Sequence, residues 1–221
     1  SDWSSDVCSS DLSISNKSFL HITDNRCGQM YFGCNQEWFG TKWQRLAGCG
    51  PSVASNIFGY LFKLKKLNNQ DKPYEKNEFM SLMEELWCHV TPTIRGVNTT
   101  AIFYKGLISY AKEKGLPLRH HFLNIPERKE ARPSFKEVVS FIANGLDQDT
   151  PVAFLNLCNG KEKALDKWHW VTIVSMDYAE DFSGAVLESY DEGKIKHADL
   201  KLWYDTTCLG GGFVYAVLDI G

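Results

Sequence analysis

Between Pro51 and Leu64 the apolar residues Val53, Ile57, Phe58, Leu61 and Leu64 recur at threes and fours, which gathers them on one helical face. Pro51 suits the first position of such a helix, because its ring presets the backbone angle and that position's amide would have no intrahelical partner. The same periodicity predicts helices over 75–90 (EKNEFMSLMEELWCHV), over 99–114, closed by Gly115, and over 134–146. After Pro151 the pattern shortens. PVAFLNLC, WHWVTIVSM, GAVLESY, GKIKHADL and GGFVYAVLDI are rich in β-branched and aromatic residues and punctuated by glycine, asparagine or aspartate, as the strands of an antiparallel sheet are. Helices first and strands second predict an α+β domain, with a helical lobe over about 36–150 packed on a β lobe over about 151–221, a twisted sheet or half-barrel. No repeat or linker separates the lobes, so 13–221 reads as one domain.

Composition changes this picture little. A chain of 221 residues, 43% hydrophobic and 23% charged, can bury a full core, and a net charge of -3 gives no electrostatic reason to expect a nucleic acid. The longest apolar runs are strand-sized, too short for a membrane span. Residues 2–12, DWSSDVCSSDL, resemble the translated read-through of a sequencing adapter, and 1–12 are therefore set aside as non-native. Localisation is left open, with a lean toward a secreted or cell-surface protein. Of the six cysteines that remain, irregular spacing favours free thiols, and Cys27 and Cys34 are the pair to watch for a bridge. Cys88, His89, His120 and His121 lack the close paired spacing of a structural zinc site, so neither a metal nor a cofactor is expected.

The candidate chemistry lies in RLAGCGPSVASNIFGYL, where Cys49 stands between two glycines at the start of the first helix. A thiol attacks only as thiolate, and a helix N-terminus favours negative charge through its unpaired amides and aligned dipoles. Gly48 and Gly50 would let a substrate backbone approach and leave nearby amides for a developing oxyanion. The base that such a thiol needs is His169, the histidine placed at the start of a strand after an exposed loop, in DKWHWVTIV. In an extended strand, Trp168 and Trp170 would both project away from it and shield it from water.

GCGPS opening a helix, followed in order by PVAFLNL, HWVTIV, SYDEGKI and GGFVYAVL, resembles the papain-like cysteine peptidases, in particular the bacterial branch related to bacteriocin-leader-processing peptidases. The resemblance runs from about Gln36 to the C-terminus. It implies hydrolysis of a peptide or other amide bond by a Cys49–His169 pair, with a peptide or protein as substrate and no cofactor. An acyl or peptidyl transferase using the same pair, or a peptide-binding module without catalysis, would share the scaffold. It also implies a glutamine that donates to the oxyanion, for which Gln36 is preferred to Gln44, and a residue that orients the histidine. Asp191 is preferred for that place over its neighbours Glu188 and Ser189.

Overall fold

The computed structural model describes residues 8–67 and 72–219. In chain order the elements are β1 (Ser9–Ser13), β2 (His21–Asp24), β3 (Gln29–Phe32), α1 (Lys42–Ala47), α2 (Cys49–Leu64), β4 (Tyr74–Glu75), α3 (Lys76–His89), α4 (Thr100–Glu113), β5 (Leu118–Ile125), α5 (Phe135–Asp147), β6 (Val152–Asn156), β7 (His169–Ala179), β8 (Ala185–Asp191), β9 (Lys194–Asp199), α6 (Leu200–Thr206) and β10 (Gly211–Leu218). The four helices expected from periodicity are α2, α3, α4 and α5, and the five expected strands are β6 to β10.

The main sheet runs β5-β10-β6-β7-β8-β9, and its pairings are antiparallel. Alternation along β6 shows how it is buried on both faces. Val152 and Phe154 pack into one core with Val138, Val139, Ile142 and Leu146 of α5 and Trp203 of α6. Ala153 and Leu155 pack into another with Val53, Ile57 and Phe58 of α2 and Phe103 and Leu107 of α4. The sheet is thus a middle layer between helices.

Two features depart from the helices-then-strands expectation. β5 lies among the helices in sequence yet forms an edge of the main sheet, and α5 packs with α6 instead of joining α2 to α4. β5 is hard to see in sequence because an edge strand needs only one buried face, and of its residues Ile125 alone is buried, the rest being half-buried or exposed. A second small sheet, β3-β2-β4, is formed by segments outside the predicted elements except for Glu75, the first residue of the predicted 75–90 helix. Ser9 to Leu12, within the stretch set aside as non-native, and the adjoining Ser13 pair antiparallel with Ser175 to Ala179 of β7, beyond the end of β6. A strand edge recruits by its main-chain groups, whatever side chains the incoming segment carries. Residues 1–7 of that stretch lie outside the described residues.

Candidate active site

α2 spans 16 residues and carries Cys49 at its first position, with Gly48 as N-cap. Its apolar side, including Val53, Ala54, Ile57, Phe58 and Leu61, is locked into the core, which fixes the helix and with it the sulfur. The two glycines around Cys49 have a different purpose from the one expected. A side chain on Gly48 would come within 2.4 Å of the Gln44 carbonyl and 2.6 Å of the Phe39 ring, and one on Gly50 within 2.7 Å of Val97. Close packing of the α1–α2 corner, more than substrate access, requires glycine at both positions.

His169 is the first residue of β7 and is buried. Trp168 before it stands outside the strand, in the left-handed region with φ 54°, and is 51% exposed. Trp170 is buried, stacked on Phe103 with ring centroids 4.3 Å apart, and donates its indole N–H to the Val97 carbonyl. The two tryptophans therefore do not act alike: one seals the core behind the site and the other walls the open cleft.

The His169 ring joins two partners. Its Nε2 lies 2.6 Å from Asp191 Oδ1, and Cys49 is near enough to interact with the ring. With Nε2 occupied, Nδ1 is the nitrogen left for the sulfur. Burial works to lower the His169 pKa, but Asp191 and Cys49 outweigh it and raise the value to about 10. Asp191 is likewise buried, which opposes its ionisation, yet His169 and Lys196 together hold its pKa below the usual carboxylate value. Lys196 Nζ donates to Asp191 Oδ2 at 2.7 Å, so both carboxylate oxygens are occupied. The neighbours of Asp191 have other partners. Glu188 pairs with Lys17 at 2.8 Å, and Ser189 Oγ faces the Lys196 carbonyl at 3.4 Å.

Lys196 was not foreseen, although the sequence carried a signal for it. Glu192 and Gly193 both have positive φ, 51° and 76°, and form a two-residue turn that sets Asp191 opposite Lys194 and Ser189 opposite Lys196. Reading Asp-Glu-Gly-Lys as such a hairpin puts Asp191, Ser189 and Lys196 on one face.

The two glutamines have separate environments. Gln44 is occupied at both ends: its Oε1 accepts from Thr41 N, which with Gln44 N donating to Thr41 Oγ1 completes a capping box at α1, and its Nε2 donates to Glu84 of α3. Gln36 borders a small cavity of about 10 Å³ together with Cys49, Ser52, Asn56, His169 and Asp191. Its Nε2 donates one bond, at 3.0 Å, to the Arg45 carbonyl. The loop that brings it there is clasped from both sides. Cys34 N donates to Asn56 of α2 and Asn35 donates to the Glu192 carbonyl at the β8–β9 turn, while Gly33, with φ 71°, sits where a side chain would reach 2.9 Å from Asn56.

Cys34 is a free thiol that bonds to the Ser52 carbonyl, and burial pushes its pKa up to about 12. Cys27 is exposed and also free, so the pair watched for a bridge is not joined. Among the described residues, the histidine, cysteine and acidic groups near enough for a shared metal are Asp166, His169 and Asp191. Lys196 already supplies the positive charge between the two carboxylates, at 3.4 Å and 2.7 Å.

Beside Cys49 opens a groove of about 500 Å³, lined by Trp43, Leu46, Ile94, Val97, Leu157 and Trp168 among others. Ile94 is 96% exposed and Leu46 69%, so this is apolar surface presented to solvent within the cleft.

No family profile and no curated protein matches the sequence. Among solved structures the chain is similar to UfSP from C. elegans, with a TM-score of 0.52 and 12% identity, over 100% of this chain and 36% of that one. At that identity the likeness shows the fold alone. UfSP is a cysteine protease of the papain-like fold, and the mixed helix and antiparallel sheet described above is compatible with it. The likeness lends no support to the bacterial leader-processing branch in particular. This chain spans about a third of the length of that neighbour.

Proposed function

We propose that the protein is a thiol-dependent hydrolase of peptide or other amide bonds that works through an acyl-enzyme intermediate. The observation that carries this reading is the meeting of Cys49, His169 and Asp191 around one small cavity, with His169 Nε2 bonded to Asp191 and the sulfur on a helix N-terminus at the edge of an open groove. The order of the GCGPS, HWVTIV and SYDEGKI motifs favours kinship with the bacteriocin-leader-processing branch within the papain-like fold.

In this reading the imidazolium of His169 stabilises the Cys49 thiolate, which attacks the substrate carbonyl carbon. The Gln36 amide has two hydrogens, and the one not given to the Arg45 carbonyl is available to the developing oxyanion. His169 then passes its proton to the leaving amine, which frees the acyl-enzyme. As a neutral base it next takes a proton from water, and the resulting hydroxide releases the acid and restores the thiolate. Asp191 accepts from Nε2 throughout, fixing the ring's orientation and favouring its charged form. The apolar groove suits a peptide or protein substrate that carries a large apolar side chain near the scissile bond.

An electrophilic thiol probe, followed by peptide mapping, tests the assignment. Cys49 should label far faster than Cys27, Cys88 or Cys208, which are more exposed. Cys49→Ala should abolish both that labelling and the hydrolysis of a peptide library, a loss of roughly 10³-fold or more. Labelling of Cys49 at the rate of the other thiols would overturn the reading. Fast labelling without turnover would favour the peptide-binding module, and product formation only with an added amine or thiol acceptor would favour the transferase.

A further inference from the structure

Outside the Cys49 site, two more cysteines meet. Cys158 lies just after β6, at the root of the loop that leads to His169, and Cys208 lies between α6 and β10. They are 50 residues apart in sequence, and their sulfurs are 2.6 Å apart. The segments bearing them are laced together independently of the thiols. Leu157 N donates to the Gly210 carbonyl at 3.1 Å, Lys161 N to Thr206 Oγ1 at 2.9 Å, and Thr207 Oγ1 to the Cys158 carbonyl. Gly160, with φ 58°, lets the two backbones touch: a side chain there would come within 2.3 Å of Thr206 Oγ1. The pair is accessible, with Cys208 exposed and Cys158 half-buried.

We propose that Cys158 and Cys208 form an oxidation site, a dithiol that closes to a disulfide when it meets a low-molecular-weight disulfide of the glutathione class. The backbone already holds both sulfurs in place, so closure needs no rearrangement of the sheet. The close approach of Cys208 lowers the Cys158 pKa to about 7 and makes Cys158 the attacking thiol, while the Cys208 pKa is raised. The Cys158 thiolate attacks one sulfur of the oxidant, expels the first small thiolate and forms a mixed disulfide. Cys208 then gives up its proton and attacks the Cys158 sulfur, expelling the second small thiolate, which takes up that proton. Two protein thiols are oxidised, one disulfide is reduced to two thiols, and the exchange reverses under excess reduced thiol. Leu157 and Trp168, near the two ends of the loop concerned, both line the groove beside Cys49, so oxidation pins one wall of that groove at its base.

The test needs no assumption about hydrolysis. The whole chain is equilibrated in glutathione buffers of graded ratio, quenched in acid, alkylated and mapped by mass spectrometry. The expected product is a peptide pair joined through Cys158 and Cys208, with a melting temperature on the order of 10 °C above that of the reduced protein, as a cross-link of this loop length implies. Cys208→Ser should leave Cys158 trapped as the glutathione mixed disulfide, and Cys158→Ser should leave no joined peptide. Recovery of both cysteines in the alkylated form, in a buffer oxidising enough to modify exposed Cys27 and Cys88, would overturn the proposal. So would a predominant bridge between other cysteines. Neither result bears on Cys49.

Discussion

The two walls of the cleft are held in place by different forces. On the Cys49 side, α2 is wedged by Val53, Ile57, Phe58 and Leu61, and the corner before it closes over glycines that leave no room for a methyl group. On the His169 side, placement depends on charge: a buried carboxylate lies between an imidazole and an ammonium, at 2.6 Å and 2.7 Å. A packed wall resists changes of volume but is indifferent to pH. A charged wall tolerates isosteric change in shape and fails when a proton moves.

Asp191→Asn attacks the charged wall with almost no change of volume, and we expect the largest effect there: a loss of amide hydrolysis of roughly 10²-fold or more with the fold intact. The His169 pKa should drop from about 10 toward its ordinary value of 6.5, so the alkaline limb of kcat/KM should move to lower pH. Stability follows with a definite sign. A group raised by folding contributes fully below its unfolded value near 6.5, and its contribution fades as pH rises through about 10. Urea unfolding of the parent protein should therefore show stability falling across that interval, and Asp191→Asn should flatten the fall.

The packed wall is tested by Gly48→Ala. A methyl group 2.4 Å from the Gln44 carbonyl must push the α1–α2 corner apart, at a cost of about 1–3 kcal/mol in urea unfolding, with no shift in the pH limbs. Should this variant shift the limbs as Asp191→Asn does, the separation between the walls would be lost. The smallest effect is expected from Lys196→Met. It leaves the Asp191–His169 bond in place and frees one carboxylate oxygen, so activity should fall only a few-fold. The His169 pKa should rise slightly further as a nearby positive charge disappears, which NMR titration of the imidazole would read.

The same contrast decides what the sequence made legible. The packed wall was legible because helical periodicity is local: α2 and its start at Cys49 follow from residues within a few turns of one another. His169 was visible as a strand start, and Asp191 as one of three candidates on the next strand. Lys196 was missed because its role depends on the register between β8 and β9, which two turn residues determine. Thr41 and Gln44 carried a capping-box spacing that ties Gln44 to α1 through its Oε1, while its Nε2 is taken by Glu84 of α3. β5 was hidden because its neighbour in the sheet, β10, is remote in sequence and all but one of its residues are half-buried or exposed. Cys158 and Cys208 were hidden for a similar reason, with nothing in a separation of 50 residues to announce their meeting.

The Glu192–Gly193 turn acts as a ruler for the charged wall. Because side chains alternate along β9, one additional residue in that turn would move every position by half a pleat and rotate Lys196 to the opposite side of the sheet. Asp191 precedes the turn and would keep its imidazole while losing its counterion. The length of a two-residue loop, which touches no substrate, thereby sets how much negative charge the carboxylate shows to the histidine.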